Sequence, residues 1–213
     1  ITESIQVCGV SKAAGIDKFD DLRTREIIVG GTATTGPLTK SAFAVRNLLG
    51  AKMKIVAGYK GSADLKLAIG RGEVQGVCGL QLSTIRSAWR EDYESGNFRP
   101  IIQLSGRKQA ALAIPHVDDY PGSNDERQVR ALIFGMQSLG GLYASAPGVP
   151  VARKRALRAA LLATLNDPQF VADAAKTQID ISPMTGAEVE AFIARVSTAS
   201  PAIIERAKQA FAP

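Results

Sequence analysis

A threonine-rich turn between a predicted strand and a predicted helix is the segment best suited to hold a small anion. The turn Gly30 to Gly36 follows the predicted strand Glu26 to Val29, and Pro37 stands near the first turn of the next helix. Backbone N–H groups at a helix N-terminus lack intrahelical acceptors, and the helix dipole favours negative charge there. Glycines allow close backbone approach, while the threonines add hydroxyl donors. The predicted anion-binding residues are Gly31, Thr32, Ala33, Thr34, Thr35 and Gly36. The alternative is an ordinary strand–helix turn with threonine caps.

A second loop repeats this arrangement after the next predicted strand, Met53 to Ala57. We include Tyr59, Lys60 and Gly61 among the predicted ligand-binding residues, with Ser62 as the N-cap of the following helix. If both strands are parallel, the two loops lie at the same sheet edge, where open α/β sheets bind ligands. The alternative for Tyr59 and Lys60 is a partly exposed pair without a ligand.

Motifs for catalysis and for cofactors are absent from the sequence. His116 is the only histidine, and no G-x-S-x-G motif accompanies it, so we interpret it as an exposed loop residue. No His, Cys, Asp or Glu group has metal-ligand spacing, and neither G-x-x-x-x-G-K-[ST] nor G-x-G-x-x-G occurs. The sequence therefore predicts a binding protein rather than an enzyme, with no metal and no cofactor.

Composition excludes several further classes. The 213 residues are 46% hydrophobic and 22% charged, as in soluble globular domains. No apolar run reaches the roughly 18 residues that a membrane span needs. The net charge of +6 is scattered among acidic residues, so no nucleic-acid partner is predicted. Cys8 and Cys78 form no C-x-x-C motif, and we expect two buried free thiols, the alternative being one disulfide.

Short apolar runs alternate with amphipathic stretches, which predicts an α/β fold followed by a mainly helical C-terminal part. The predicted strands are Ile5 to Val10, Glu26 to Val29, Met53 to Ala57, Val74 to Cys78, Ile101 to Leu104, Ala110 to Ile114 and Leu142 to Ser145. The principal helices are predicted from Pro37 to Leu49, from Ala63 to about Gly70, from Ser83 to Tyr93 and around Val129 to Met136. Asp167-Pro168 is expected to break the first of the C-terminal helices.

Three segments carry a family resemblance. Ile55 to Asp64, followed by Ala68 to Gly76, looks like the family segment V-P-Y-K-G-S-A … L-x-x-G-x-V-D. Leu142 to Pro150 is similar to G-L-x-A-P-x-G-T-P, and Arg155 to Pro168 resembles L-x-x-A-L-x-x-x-L-x-D-P. The family is the periplasmic receptors of tripartite tricarboxylate transporters, also called Bug proteins. Gln75 stands where the family has Asp.

The resemblance implies a type II periplasmic-binding-protein-like α/β fold of the Venus flytrap kind, with the N-terminal lobe largely missing. It implies that residues 1–145 form the second ligand-binding lobe, and that residues 146–213 are helices packing on the hinge or first lobe. The implied function is that of a periplasmic receptor for a small carboxylate, with membrane permease subunits as partners and a signal peptide upstream. A rival interpretation is the effector-binding domain of a LysR-type transcription regulator, which has a related two-lobe fold.

Overall fold

The chain divides into two compact units. A computed structural model describes residues 4–137, 139, 141–177, 181 and 183–213. Unit 1 comprises Ile1–Ser4 and Leu139–Ala199, and unit 2 comprises Ile5–Ser138 and Ser200–Pro213. Unit 2 contains the sheet, whereas the described part of unit 1 is mainly helical.

Unit 2 is built on a five-stranded sheet in the order β3-β2-β4-β1-β5. The strands are β1 (Gln6–Ser11), β2 (Ile27–Gly31), β3 (Met53–Ala57), β4 (Gly76–Gln81) and β5 (Phe98–Leu104). β2 pairs in parallel with both β3 and β4, while β1 is antiparallel to β4 and β5. β2, β3 and β4 consequently end at one edge of the sheet, called the carboxyl edge below.

Helices cover both faces of this sheet. The helices of unit 2 are α1 (Pro37–Leu49), α2 (Ser62–Gly70), α3 (Leu82–Arg86), α4 (Arg90–Glu94), α5 (Asn124–Gln137) and α9 (Pro201–Ala210). The helices of unit 1 are α6 (Val151–Leu165), α7 (Pro168–Lys176) and α8 (Gly186–Ser197). Short 3₁₀ helices occupy Lys12–Ala14, Phe19–Arg23 and Val117–Asp119.

Each face of the sheet has its own apolar packing. On one face, a cluster joins α2, α3 and α4 to the strands, and Trp89 meets Phe98 edge-to-face at 4.8 Å between ring centroids. On the other face α1 is buried nearly all round, and it contacts α5 and α9. These two layers hold the strand ends and helix starts in fixed positions.

Several predicted elements agree with the structure. Strand β3 has the predicted bounds, and α1 has Pro37 in its first turn and Gly50 just past its end, as predicted; Gly50 has a positive φ of 68°. Asp167 caps α7 by accepting the Phe170 N–H, which separates α6 from α7 as predicted. The predicted helix from Ser83 to Tyr93 is two short helices, because Trp89 leaves helical geometry and turns its side chain into the core. The strand expected at Val74 to Cys78 instead runs from Gly76 to Gln81.

The strand predicted at Ala110 to Ile114 does not form. The buried carboxamide of Gln103 takes the place of a partner strand, donating to the Ile114 carbonyl at 2.9 Å and accepting the Gln109 N–H at 2.8 Å. The loop backbone therefore wraps around one side chain. The strand predicted at Leu142 to Ser145 is also wrong, since these residues are irregular and exposed. Extended segments need a neighbour to satisfy their backbone groups.

The expectation of two free thiols was wrong. Cys8 and Cys78 are direct register partners on the neighbouring strands β1 and β4, and they form a disulfide. Their Cα atoms are 3.9 Å apart, and both side chains are buried. The pairing joins residues separated by 70 positions in the chain, so it depends on a strand contact that local sequence does not reveal.

Candidate functional site

The two predicted ligand loops lie side by side at the carboxyl edge of the sheet. β2 and β3 stay in parallel register up to Gly31 opposite Ala57. Beyond that pair, the Gly58 N–H donates to the Thr32 carbonyl at 2.7 Å, and the Tyr59 N–H donates to the Gly31 carbonyl at 3.2 Å. The prediction that both loops share one edge, each leading into a helix, is confirmed.

The N-terminus of α1 has unpaired donors and no acidic side chain. Gly36 is the N-cap, and its N–H closes the preceding turn on the Ala33 carbonyl at 2.7 Å. Pro37 has no N–H, so the donors of the first turn are those of Leu38 and Thr39, which have no acceptor among the described residues. The first turn contains no Asp or Glu. This end of α1 has the donors and the dipole that an anion requires.

Gly31 is required by packing rather than by an unusual φ. A Cβ on Gly31 would stand 2.3 Å from Thr39 Oγ1 and 3.1 Å from the Thr39 Cα. A valine at position 31 would therefore push α1 off the sheet. Thr39 Oγ1 donates to the Thr32 carbonyl at 3.4 Å, whereas Thr32 Oγ1 is buried without a partner. Ala33, Thr34 and Thr35 are exposed, so the tip of the loop is accessible.

The second loop is less suited to an anion than the first. The N-cap of α2 is Gly61, not Ser62 as predicted, and no side chain caps it. The Asp64 carboxylate accepts the Lys60 N–H at 3.2 Å, placing a negative charge at the start of α2. The Lys60 residue is exposed. The second loop can therefore contribute the Lys60 side chain to an anion site. The positive end of the α2 dipole is already compensated by the Asp64 carboxylate.

Tyr59 points to the opposite face of the sheet from α1. Its ring packs against the cluster under α2, and its Cε2 lies 3.4 Å from where a Cβ on Gly30 would stand. Gly30 and Gly31 face opposite sides because strand residues alternate. Burial, together with the hydrogen-bonded Glu73 carboxylate, raises the pKa of the Tyr59 phenol. The structure thus brings the loop backbones together and places the Tyr59 ring in the core layer.

His116 is a buried structural residue, which corrects its interpretation as an exposed loop residue. Its side chain is 2% exposed, with Nε2 2.7 Å from the Ser105 carbonyl and Nδ1 accepting the Asp118 N–H at 3.2 Å. Its own backbone N–H donates to Asp119, and this bond, with Lys108, holds the pKa of that carboxyl below its ordinary value. Both ring nitrogens serve the fold of the loop.

Two buried polar residues beside the turn were not among the predicted site residues. Thr39 and Ser41 are fully buried on α1, although the helical stripe considered in the sequence is Leu38, Ala42, Val45 and Leu49. A glycine lies under each of them: Gly31 under Thr39, and Gly79 under Ser41. Glycines in two adjacent strands indicate a close helix approach, which is the signal that could have identified these residues.

Unit 1 contains a separate apolar groove. A cavity of about 560 Å³ is lined mainly by leucines of α6, by Val189 and Ile193 of α8, and by Leu142 and Tyr143. Arg158 and Glu190 form an ion pair at its rim. Among the described residues of unit 1, only Leu165, Ala174 and Val189 have buried side chains. Its helices therefore leave much apolar surface in contact with solvent.

Neither a membrane-spanning helix nor a metal-binding cluster is found among the residues that the structure describes. In that part of the chain, no helix has both the length and the apolar character needed to cross a bilayer. Nor does that part hold a group of three or more His, Cys, Asp or Glu side chains arranged for a metal ion.

Solved structures share the fold of this chain. No protein-family model matches the sequence, and no curated protein sequence does. Rpa4515 of R. palustris, solved with adipate, is 15% identical with a TM-score of 0.61, covering 99% of this chain and 66% of that one. A TctC solute-binding protein from Polaromonas is 13% identical with a TM-score of 0.67, covering 96% and 67%. MatC from Rhodopseudomonas palustris, with bound malate, is 12% identical with a TM-score of 0.55, covering 99% and 67%.

The shared fold extends over nearly all of this chain, but the chain spans only about two thirds of the length of these solved structures. The mixed α/β, periplasmic-binding-protein-like fold that the family resemblance implied is confirmed.

Proposed function

We propose that this chain is part of an extracytoplasmic receptor of the tripartite tricarboxylate type, which binds a small carboxylate without chemical change. The observation that carries the proposal is the free N-terminus of α1, with the unpaired Leu38 and Thr39 N–H groups, at the carboxyl edge of the sheet. Its fold is shared with a TctC solute-binding protein, and with Rpa4515 and MatC, which are described with adipate and with malate.

In this proposal one ligand carboxylate binds the backbone of the first loop. The residues that form this site are Gly31, Thr32, Ala33, Thr34, Thr35 and Gly36, extended by Leu38 and Thr39. An anion at a helix N-terminus gains charge-assisted hydrogen bonds without an arginine. Lys60 adds a positive charge from the neighbouring loop, and Gly61 allows that loop to approach. Tyr59 supports the second loop through its packing against the core.

The disulfide supports a periplasmic location. Disulfides form and persist in oxidising compartments such as the bacterial periplasm, and are rare in the cytosol. Cys8 and Cys78 are both 1% exposed, so the bond is built into the sheet core. The partners in this proposal are the carboxylate ligand and the membrane permease subunits to which the receptor delivers it.

The test of the ligand class is a thermal-shift and calorimetric panel on the complete protein that contains this chain. We expect binding of at least one mono-, di- or tricarboxylate, a rise in Tm with its concentration, and no response to neutral sugars. Tight binding of a neutral sugar, with no response to any carboxylate, would contradict both the ligand class and the backbone-amide site.

A charge placed at the first loop distinguishes backbone anion binding from other modes. We expect Thr35→Asp to weaken carboxylate binding at least about tenfold. The carboxylate of the new Asp side chain would compete with the ligand for the positive end of the helix dipole. The exposed position and the favourable dipole should leave the free energy of unfolding unchanged or slightly higher. Calorimetry and chemical denaturation measure the two effects.

Thr35→Asn is the matched control, since it keeps the shape of the Asp side chain without its charge. It should retain binding within about threefold, and Thr34→Ala should cost about 0.5–1.5 kcal/mol of binding free energy at most. Equal losses in Thr35→Asp and Thr35→Asn would show that shape, not charge, decides, which contradicts an anion at this helix end.

The domain division predicted from the sequence remains a proposal: residues 1–145 as one ligand-binding lobe and residues 146–213 as helices on the hinge or first lobe. For α6 to α8, the apolar groove and the scarcity of buried side chains support a covering partner. About a third of the length of the solved neighbours lies outside the matched region, and we propose that part of the fold as the cover.

The proposed cover over the apolar groove predicts that a charge placed in the groove lowers the stability of the complete protein. Leu157 lines the groove and is 62% exposed in this chain, while Leu67 on α2 is 57% exposed and serves as the matched control. We expect Leu157→Lys to lower the free energy of unfolding of the complete protein by about 2 kcal/mol or more, and Leu67→Lys by less than about 0.5 kcal/mol. Denaturant titration measures both. Similar small losses in the free energy of unfolding for both variants would show that the groove stays exposed to solvent in the complete protein.

A further inference from the structure

The N-terminal end of α6, in unit 1, concentrates positive charge. Its four cations are Arg153, Lys154, Arg155 and Arg158. The sequence contains no Asp or Glu between Glu126 and Asp167, so no acidic neighbour along the chain offsets them. Arg158 forms the ion pair with Glu190 at the rim of the apolar groove. The other three cations have no carboxylate partner among the residues that the structure describes.

The position of these cations works against the stability of their own helix. The first turn of α6 contains no acidic residue, and its last turn contains no basic residue. Because the N-terminal end of a helix dipole is positive, this distribution is the opposite of the one that stabilises a helix. An anionic surface facing this end of α6 would compensate the side-chain charges and the dipole together.

An exposed apolar turn leads directly into the cations. The turn consists of Pro147, Gly148, Val149 and Pro150. Val151, the first residue of α6, is 69% exposed. Gly148 has a φ of 81°, and a Cβ on it would meet no described atom within 4 Å, so the turn is open on that side. Residues 147–155, called the α6 tip below, therefore combine an apolar end with three unpaired cations.

The cations of the α6 tip point to different sides of the helix. Successive residues of an α-helix are about 100° apart around its axis, so Arg153, Lys154 and Arg155 spread around α6. Arg153 and Arg155 are exposed, and Lys154 is half-buried at the rim of the groove. One extended acidic segment of a protein would contact a single side of this helix. A broad anionic surface meets the apolar end and the cations at the same time.

We propose that the α6 tip binds the surface of an anionic lipid bilayer. The arginines contact headgroup phosphates, and Val149 and Val151 enter the headgroup layer. Guanidinium groups form charge-assisted hydrogen bonds with phosphates, and apolar residues next to Lys and Arg bind the interface of anionic bilayers. The inference goes beyond the proposed function, since it concerns a second surface and holds for any ligand. Such binding keeps the protein beside the membrane permease subunits proposed as its partners.

Binding to vesicles tests the inference on the complete protein that contains this chain. One set of vesicles is phosphatidylcholine with about 30 mol% phosphatidylglycerol, and the other is phosphatidylcholine alone. In co-sedimentation at about 20 mM salt, we expect at least about tenfold stronger partitioning to the anionic vesicles, and most of this preference should disappear at about 500 mM salt. Equal partitioning to both vesicles would overturn the inference and favour an acidic protein segment as the occupant.

A double variant assigns the binding to the α6 tip. Arg153→Gln combined with Arg155→Gln should weaken partitioning to the anionic vesicles at least about tenfold, because each basic residue near such a surface contributes about fivefold. The matched control is Lys52→Gln combined with Lys54→Gln, which removes the same charge from two exposed lysines of unit 2. The control should change partitioning by less than about threefold. Equal losses in the two double variants would show that net charge decides, which contradicts a role of the α6 tip.

An added tryptophan reports the contact directly. The sequence contains one tryptophan, Trp89, which is 1% exposed and gives a constant background. Val151→Trp should shift its emission to the blue with anionic vesicles and partition more strongly, because indole rings favour the membrane interface. Leu67→Trp, at a position 57% exposed on α2, is the control and should not shift. No shift at position 151, or an equal shift at position 67, would overturn the inference.

Discussion

Removing the Cys8–Cys78 disulfide should lower the free energy of unfolding of unit 2 by about 4 kcal/mol. The bond closes a loop of 70 residues between neighbouring strands, and the chain-entropy model gives about this value for a loop of that length. Both cysteines are buried, so the double variant Cys8→Ala, Cys78→Ala avoids leaving a buried thiol or hydroxyl unpaired. Denaturant titration of the wild type and the double variant measures the difference.

Reducing agent provides the control for this experiment. It should lower the stability of the wild type towards that of the double variant, and it should leave the double variant unchanged. Thiol titration of the unfolded, unreduced wild type should detect no free thiol. Two free thiols would show that the bond does not form, and would also remove the support for an oxidising compartment.

Replacing Arg130 by methionine should cost about 3 kcal/mol of stability. Arg130 is 1% exposed, and its guanidinium donates to the Val117, Tyr120 and Pro121 carbonyls at 2.7, 2.8 and 3.1 Å. Methionine has a similar length but no donor, so it leaves several carbonyls of this loop without partners. Gly122 lies so close that a Cβ there would stand 1.9 Å from Arg130 Nη2, which shows how tightly the loop encloses the guanidinium.

Arg127→Met is the control for Arg130→Met. Arg127 lies on the same helix and donates to the Gly122 carbonyl at 2.6 Å, but it is exposed to solvent. We expect it to change stability by less than about 0.5 kcal/mol, because water can replace an exposed donor. Equal effects of the two substitutions would show that the buried guanidinium does not hold the loop.

The candidate loops were predictable because their signals are local. A β-strand, a glycine- and threonine-rich turn and a helix with Pro37 in its first turn follow one another directly in the chain, and the same order recurs at Met53 to Gly70. Two such consecutive units with parallel strands bring their loops to one edge. The prediction of the shared edge therefore needed no knowledge of distant contacts.

The features that escaped prediction depend on distant contacts. The disulfide requires β1 to lie beside β4. The strand predicted at 110–114 does not form because the Gln103 side chain, on β5, hydrogen-bonds the backbone of that loop. The hydrogen bond from the Lys60 N–H to Asp64 is an exception, since it is a local contact that the prediction did not include.

The most direct test of the central claim is to observe the backbone amides of the first loop during ligand binding. In the ¹⁵N-labelled complete protein, a carboxylate identified in the panel should cause its largest amide shifts at Thr34, Thr35, Leu38 and Thr39. N–H groups that bind an anion report it directly. Leu38 and Thr39 carry the unpaired donors of the first turn of α1, and Thr34 and Thr35 lie in the loop just before it. Saturating carboxylate binding that leaves all four amides unshifted would contradict the account.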